Sequence, residues 1–269
     1  MRIPARSTTH ASEHRILLRP AERQSNWTLK EPYTSSYFAA FRSSSRKSAE
    51  VIVPILLGWI RPKSVIDIGC GVGEWLSVFQ ENGVEQILGV DGEYVLANSL
   101  AILRETFRVR DLTQPYETSL RFDLAISLEV AEHLPKESAE PCVRTLTKLA
   151  LIIAFSAAIP FQPGVGHVNG QWPAYWAKLF AAADFLPIDA LRSRIWDDSR
   201  IDYWYRQNIL IYVSSNSLHD YPALNSLNCP TSDPLPRIHP RLVEDLIQWG
   251  TDWEKKYWDL WKRTEGVFN

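Results

Sequence analysis

Short runs of apolar and β-branched residues alternate with longer segments of helical character between residues 64 and 155. The runs predict five strands, at Ser64–Ile68, Gln86–Val90, Phe107–Arg110, Phe122–Ser127 and Leu149–Phe155. The intervening segments predict helices at Val72–Asn82, Tyr94–Glu105 and Ser138–Lys148. Strands and helices that alternate in this way form a parallel sheet with helices on both faces, so the sequence predicts an α/β fold.

Composition and periodicity divide the rest of the chain. Residues 1–32 are rich in arginine, serine and threonine without an apolar period, and they predict a mobile tail. Apolar residues recur at helical spacing over 33–60, which predicts a helical cap with a kink or break at Pro54. After a core at 61–215, prolines predict an extended linker over 216–240. An apolar stripe through 241–269 predicts a C-terminal amphipathic helix.

The core is expected to carry an insertion near 160–205, on the substrate side of the sheet. Within it, an aromatic helix containing Trp172, Tyr175 and Trp176 is expected to roof the site. Two further strands are predicted near Pro187–Arg192 and at Asn208–Ser214.

The charge and cysteine content exclude several classes of protein. A formal net charge of -2 gives no global electrostatic reason to bind nucleic acid or an anionic membrane. Three cysteines at unrelated spacings indicate neither a disulfide framework nor a zinc site, and they fit a reducing compartment. The apolar runs are too short to span a bilayer. The sequence therefore predicts a cytoplasmic protein without nucleic-acid or membrane partners.

A glycine-rich turn follows the first predicted strand, in the stretch VIDIGCGVG. Gly69, Gly71 and Gly73 let a ligand approach the backbone at the carboxyl end of the strand, where α/β sheets bind nucleotides. The spacing differs from GxGxxG, and the preceding Asp67 would repel a pyrophosphate and suit an amino group. No Lys-Ser or Lys-Thr pair follows, which excludes a P-loop. A tight turn without a ligand is the structural alternative.

Two further acids stand at the ends of the next two predicted strands. Asp91, followed by Gly92, is suited to accept hydrogen bonds from both hydroxyls of a ribose. Asp111 is suited to accept one from the amino group of an adenine, while Leu112 packs on the ring. A single aspartate of this kind serves equally well as a surface or capping residue. Three acids in this order outline one adenosine with an amino-acid tail.

With these residues the chain resembles the class I S-adenosylmethionine-dependent methyltransferases, in particular the subgroup of the ubiquinone-biosynthesis O-methyltransferases. VIDIGCGVG is similar to the first motif of the family, GVDG to its ribose acid, RDL to its adenine contact, and FDLAISLEVAEHL to the motif after its fourth strand. The resemblance implies a Rossmann-like, seven-stranded sheet whose last strand is antiparallel, with helical additions at both ends of the chain. It also implies S-adenosylmethionine as cofactor and S-adenosylhomocysteine as product. The cofactor would be bound by Asp67, Gly69, Cys70, Gly71, Gly73, Asp91, Gly92, Asp111, Leu112, Leu128 and Glu129.

Two histidines near the expected cleft are the candidate catalytic residues. His133, in SLEVAEHL, is suited to act as a general base toward a substrate hydroxyl, and its structural alternative is to order the turn. For His167, in PGVGHVNG, a solvated or structural role is the alternative. Glu129, Glu132 and both histidines would suit a divalent metal ion. Most relatives with this stretch carry it without metal, so no metal is predicted.

The sequence thus predicts O-methylation of a small molecule, such as a sugar or natural-product hydroxyl, in small-molecule or glycan biosynthesis. Transfer to nitrogen or to a macromolecule is the enzymatic alternative. A cofactor-binding partner subunit without catalysis is the alternative from another class. The C-terminal helix either packs on the body of the protein or pairs two copies in a homodimer.

Overall fold

The computed structural model describes residues 35–95, 100–227, 234 and 236–265, without the side chains of 35–42, 253 and 256–265. The predicted tail at 1–32 lies outside the described residues. None of the described helices combines the length and the apolar character needed to cross a membrane. The division of the chain into tail, cap, core, linker and C-terminal helix remains a proposal.

Seven strands form one sheet in the described part of the chain. They are β1 Ser64–Ile68, β2 Gln86–Asp91, β3 Phe107–Val109, β4 Leu124–Leu128, β5 Ile152–Ser156, β6 Phe185–Ile188 and β7 Leu210–Ser214. Their spatial order is β3-β2-β1-β4-β5-β7-β6. Strands β1 to β5 pair in parallel, whereas β7 runs antiparallel to both β5 and β6. The predicted α/β fold with an antiparallel last strand is therefore confirmed.

Eight α-helices accompany the sheet in the described residues. They are α1 Ser35–Ile60, α2 Glu74–Glu81, α3 Ala139–Leu149, α4 Pro173–Ala181, α5 Leu191–Ile195, α6 Tyr203–Asn208, α7 Pro222–Leu227 and α8 Pro240–Glu265. Four 3-10 turns lie between them, at Arg104–Thr106, Ala131–His133, Lys136–Ser138 and Leu218–Asp220.

The sheet is buried on both faces, as the near-continuous apolar character of its central strands requires. Because successive side chains of a strand point to opposite faces, Val65 and Ile66 of β1 belong to different core clusters. The Val65 cluster also contains Leu76 of α2, and the Ile66 cluster contains Leu146 of α3. The two helices therefore cover opposite faces and leave the carboxyl ends of β1, β2 and β4 open between them.

The helix predicted at Tyr94–Glu105 is wrong for the described residues of that segment, where only Arg104–Thr106 form a 3-10 turn. The N–H of Ala101 donates a hydrogen bond of 2.7 Å to the carbonyl of Val72, so it is not available for a helical hydrogen bond. Ile102 packs close to the Cα of Gly73, where an added Cβ would lie 2.9 Å from Ile102 Cγ1. Ala101 and Ile102 thus pack against the glycine-rich turn and are not part of a helix.

Three other predictions differ in detail. The helix α1 continues through Pro54, which lies on its exposed side, so the predicted break is absent there. The strand predicted near Pro187–Arg192 is shifted to β6, and the helix α5 begins at Leu191. The predicted extended linker contains α7.

Candidate active site

The glycine-rich turn joins β1 to α2. Its three glycines all have positive φ angles: 88° for Gly69, 52° for Gly71 and 89° for Gly73. The N–H groups of Gly69 and Cys70 donate to the carbonyl of Val90, at 2.8 and 3.3 Å, which fastens the turn to the end of β2. A Cβ atom at Gly69 would lie 2.3 Å from Cγ2 of Val130, so no other residue fits there without displacement.

Asp91 holds this turn from the second strand. Its buried carboxylate accepts hydrogen bonds from the N–H of Gly71 at 2.6 Å and from the N–H of Gly92 at 2.7 Å. The hydroxyl of Tyr94 donates a third hydrogen bond to the same carboxylate. Burial raises the pKa of Asp91, although the three donors oppose the shift.

The two other predicted acids lie in different environments. Asp67 is buried, and burial together with the charge of Asp91 raises its pKa well above its usual value. Asp111 is exposed, and it accepts hydrogen bonds from the hydroxyl and the N–H of Thr113, at 2.7 and 2.9 Å. These bonds lower the pKa of Asp111.

Two adjoining cavities open at this edge of the sheet. The smaller cavity, of about 280 Å³, has thirteen described lining residues: Gly69, Gly71, Asp91, Gly92, Tyr94, Arg110, Asp111, Leu112, Thr113, Glu129, Val130, His133 and Leu134. The larger cavity, of about 610 Å³, is lined by residues that include Asp67, Gly69, Cys70, Gly71, Leu128, Glu129, His133 and His167. Gly69, Gly71, Glu129 and His133 line both. The two cavities therefore meet at the glycine-rich turn.

All of the sequence-predicted site residues except Gly73 line one of these cavities. Gly73 lies outside the described lining of both, because it starts α2 and packs against Ile102. The predicted aromatic roof also differs from the structure. Trp176 of α4 is buried against Phe155, with ring centroids 5.1 Å apart, and belongs to the core.

Glu129 follows β4 with a positive φ of 56°, which is uncommon for a residue with a side chain. Its half-buried carboxylate accepts hydrogen bonds from the Asn208 amide at 3.0 Å and from the Gln162 amide at 2.9 Å. The amide of Gln207 joins the network by donating to Gln162 and to Asn208, at 3.0 Å each. Burial raises the pKa of Glu129, and the Asn208 and Gln162 bonds oppose that shift.

The sequence analysis missed these three amides. The only sequence signal for Gln162 is its place in the Pro/Gly-rich loop that also contains His167, and Asn208 directly precedes the apolar run of β7. Their buried contacts depend on the tertiary fold.

Glu132, His133 and His167 form a separate group beside Glu129. Glu132 is fully buried, and neither of its carboxylate oxygens has a hydrogen-bond partner among the described residues. Burial and the charge of Glu129 raise the pKa of Glu132 well above its usual value; the nearby N–H groups of Glu132 and Ala158 reduce that shift. The rings of His133 and His167 meet edge to face with centroids 4.8 Å apart.

Both imidazoles favour the neutral form. Burial and the neighbouring His167 lower the pKa of His133 to about 4. Burial also lowers the pKa of His167, whereas a hydrogen bond of 3.1 Å between its Nδ1 and the carbonyl of Gln162 opposes this shift. A neutral imidazole is able to accept a proton or to coordinate a metal ion.

Aromatic residues form the far wall of the larger cavity: Trp75 of α2 and Tyr203, Trp204 and Tyr205 of α6. Asp245 of α8 lines the same cavity. The helix α8 packs on the body of the protein, because Leu242 is buried with Ile159 and Tyr203. The sequence analysis did not assign these residues to a site, since nothing in their local pattern distinguishes them from core aromatics.

Comparison with known proteins agrees with this architecture. Residues 44–152 match a family model described as a methyltransferase domain. A solved magnesium protoporphyrin IX methyltransferase from Synechocystis, with SAM bound, is 21% identical, with 68% of this chain and 85% of that chain covered and a TM-score of 0.50.

Two other solved structures are similar to the chain with TM-scores below 0.5. An amino pentose methyltransferase from Micromonospora echinaspora is 14% identical over 69% of this chain and 99% of that chain, with a TM-score of 0.49. A TehB-like SAM-dependent methyltransferase from Corynebacterium glutamicum is 15% identical over 66% of this chain and 96% of that chain, with a TM-score of 0.48. No curated protein sequence matches the chain significantly.

Proposed function

We propose that this chain is a class I methyltransferase that uses S-adenosylmethionine to methylate a hydroxyl group of a small molecule; the methyltransferase-domain match and the sheet topology support this. One observation carries the proposal: Asp67, Asp91 and Asp111, from the ends of three neighbouring parallel strands, line two cavities that meet at a glycine-rich turn. When bound there, the cofactor supplies an electrophilic methyl group. The protein has to hold the cofactor, align the acceptor and exclude water.

The smaller cavity suits the adenosine part of the cofactor. Asp91 would accept hydrogen bonds from the ribose hydroxyls, and Asp111 would accept one from the adenine amino group while Leu112 packs on the ring. Gly69 and Gly71 present bare backbone to the ligand, which supports close approach. Gly92 completes this proposed lining, and we propose that Cys70 and Leu128 contact the cofactor from the adjoining larger cavity.

Asp67 suits the amino-acid part. Its carboxylate is buried in the wall of the larger cavity beside Asp91, with no cation among the causes of its raised pKa. A bound ammonium group would favour the ionised carboxylate and offset its desolvation. We propose that Glu129, at the junction of the cavities, borders the same part of the cofactor.

His133 is the proposed general base. It lines both cavities, so its ring lies where an acceptor in the larger cavity would meet a methyl donor in the smaller one. The lowered pKa keeps its imidazole neutral at physiological pH, which a base requires. We propose that His167, which contacts it, orients the ring or shares the proton.

The larger cavity supports a small, uncharged acceptor such as a sugar or a phenol. The aromatic wall formed by Tyr203, Trp204 and Tyr205 suits the apolar faces of such rings. Carboxylates at Glu74 and Asp245 line the same cavity, and they would repel the phosphates of a nucleic acid. The lining therefore favours a small-molecule acceptor over RNA or DNA.

Calorimetry with S-adenosylhomocysteine and transfer assays with labelled S-adenosylmethionine test the proposal. The wild-type chain should bind the product analogue and label an acceptor from a panel of sugars and phenols. Asp91→Ala should lose binding, whereas the matched control Asp220→Ala removes an exposed acid and should retain it. Absence of binding by the folded wild-type chain would refute cofactor use. Binding without transfer to any acceptor would favour a non-catalytic partner subunit.

Two further expectations stand as proposals. We propose that the chain acts in the cytoplasm, and that α8 pairs two copies through the exposed apolar residues Val243, Ile247 and Trp249. Light scattering on the wild-type chain and on Ile247→Glu distinguishes a dimer from a monomer.

A further inference from the structure

Glu132, His133 and His167 bring three potential metal ligands together. One ligand atom from each residue lies within 4.8 Å of the other two. Glu132 and His133 belong to the 3-10 turn after β4, and His167 belongs to the loop that precedes α4. The carbonyl of Glu132 accepts hydrogen bonds from the N–H groups of Val168 and Asn169, at 2.8 and 2.9 Å. The loop is thereby fixed against the turn, and the group is held by backbone bonds.

The carboxylate of Glu132 is buried without a hydrogen-bond partner among the described residues. The residue is fully buried, and neither oxygen makes a hydrogen bond to any described residue. A buried carboxylate without a partner is costly, and the neighbouring Glu129 carboxylate increases the cost. The amides of Asn208 and Gln162 donate to the carboxylate of Glu129 and not to that of Glu132. A cation beside Glu132 would offset the cost of burying its carboxylate.

The hydrogen bonds of His167 leave a nitrogen facing this carboxylate. Its Nδ1 lies 3.1 Å from the carbonyl of Gln162 and, as the donor in that bond, leaves the lone pair on Nε2. Nε2 lies 3.9 Å from Oε1 of Glu132, which is too far for a hydrogen bond. Histidines that bind metal ions usually donate their other N–H to a carbonyl in this way.

We propose that Glu132, His133 and His167 bind one divalent transition-metal ion. Bonds of about 2.1 Å place neighbouring ligand atoms about 3 Å apart, so binding requires ligand atoms that now lie as far as 4.8 Å apart to approach one another by up to about 2 Å. Two imidazoles with one carboxylate suit Mn²⁺, Fe²⁺ or Zn²⁺ and disfavour Mg²⁺ and Ca²⁺, which prefer oxygen ligands. This proposal replaces the sequence-based expectation of no metal.

The ion would lie at the wall of the larger cavity, which all three residues line. Three protein ligands leave coordination positions open toward that cavity. With the ion bound, His133 would be a ligand and would no longer act as the base; an acceptor hydroxyl at an open position would lose its proton more readily because of the ion. This last consequence rests on the proposed function; binding of the ion does not.

The test uses the full chain, freed of metal by a chelator and dialysed. Calorimetric titration with Mn²⁺ and with Zn²⁺ should give one site in the wild-type chain, and the ion should raise its melting temperature. Glu132→Gln and His167→Gln should each weaken binding by at least about tenfold. His219→Gln, at an exposed histidine beside Asp220, is the matched control and should bind like the wild type.

Two results would overturn the proposal: no binding of either ion by the folded wild-type chain, or unchanged binding in His167→Gln. His167→Gln alters a half-buried loop residue, so it decides the question even where Glu132→Gln fails to fold. Titration with S-adenosylhomocysteine on the same metal-free protein reports separately on the proposed function. Failure of one measurement therefore leaves the other intact.

Discussion

The N–H of Gly71 donates a hydrogen bond of 2.6 Å to the carboxylate of Asp91, and this bond ties the glycine-rich turn to the end of the neighbouring strand β2. The same carboxylate also accepts the N–H of Gly92 and the hydroxyl of Tyr94. A carboxylate offers about four acceptor positions, so three are occupied before any ligand arrives. A ribose with two hydroxyls has to displace one donor. Tyr94 is the exposed one, at 41% of its surface.

Replacing Tyr94 by phenylalanine should therefore strengthen cofactor binding. Tyr94→Phe removes the competing donor, and the affinity for S-adenosylhomocysteine should rise by up to about tenfold. Asp91→Ala removes the acceptor for both hydroxyls and should lower the affinity by about 100-fold or more. Calorimetry measures both changes, with circular dichroism as the control for folding. Equal affinities in Tyr94→Phe and the wild type would contradict the displacement of the tyrosine.

The glycine-rich turn should tolerate no side chain at Gly69. Gly69→Ala combines a positive φ with a clash against Val130, and it should lower the free energy of unfolding by about 2 kcal/mol or more. Gly83→Ala is the matched control, because Gly83 has a φ of 94° and open space around the added Cβ. It should cost about 1 kcal/mol. Urea unfolding of both variants measures the difference, and equal losses would argue against the contact with Val130.

Asp67→Asn should stabilise the ligand-free protein in a pH-dependent manner. The pKa of Asp67 is raised in the folded state by burial and by Asp91, so folding favours its protonated form. Its contribution to stability is present below its unfolded pKa of about 4 and is lost as the pH rises through the folded value. Asp67→Asn has no ionisable carboxyl group at this position, so the variant does not lose this stability as the pH rises.

Melting temperatures measured from about pH 4 to pH 8 test the linkage. The variant and the wild type should melt together at the acid end, and the variant should melt at a higher temperature as the pH rises. A difference that stays constant across the range would contradict the raised pKa. The same variant should bind S-adenosylhomocysteine more weakly.

Arg192 should support the site from the core. It is fully buried, donates to Asp189 at 2.7 Å, and donates to the carbonyl of Gln207 at 3.1 Å. Arg192→Leu removes the donor to the Gln207 carbonyl and leaves Asp189 with its ion pair to Arg237 at 3.3 Å, and it should cost about 2 kcal/mol of unfolding free energy. The matched control is Arg200→Leu, which breaks an exposed pair with Asp198 and should change stability little. Similar losses in the two variants would mean that the buried pair contributes no more than the exposed one.

The sequence predicted the sheet well because local pattern and tertiary position agree there. The run at residues 64–68 is apolar and β-branched, and β1 is central and covered on both faces. The acids at strand ends were predictable for the same reason, since parallel topology brings the carboxyl ends of strands to one edge. The helix predicted at Tyr94–Glu105 failed because a long-range bond from Ala101 to Val72 competes with helix formation.

The surroundings of the predicted acids were not accessible from the sequence. The residues that hold Glu129 come from an irregular loop and from the end of α6, and their partners are decided by how these segments pack. The unpaired state of Glu132 is equally a property of the packed structure. Sequence pattern predicts which residues reach the edge of the sheet, whereas their hydrogen bonds depend on neighbours distant in the chain.

Asp245 of α8 reaches the larger cavity although the sheet is complete at Ser214. A fragment that stops after the last strand would keep every element of the sheet and lose Asp245 from the lining of the chamber in which an acceptor would bind. The same fragment would lose Leu218 and Leu224, which are buried in the core cluster that contains Val65, so the chain beyond the last strand contributes to the core as well as to the cavity.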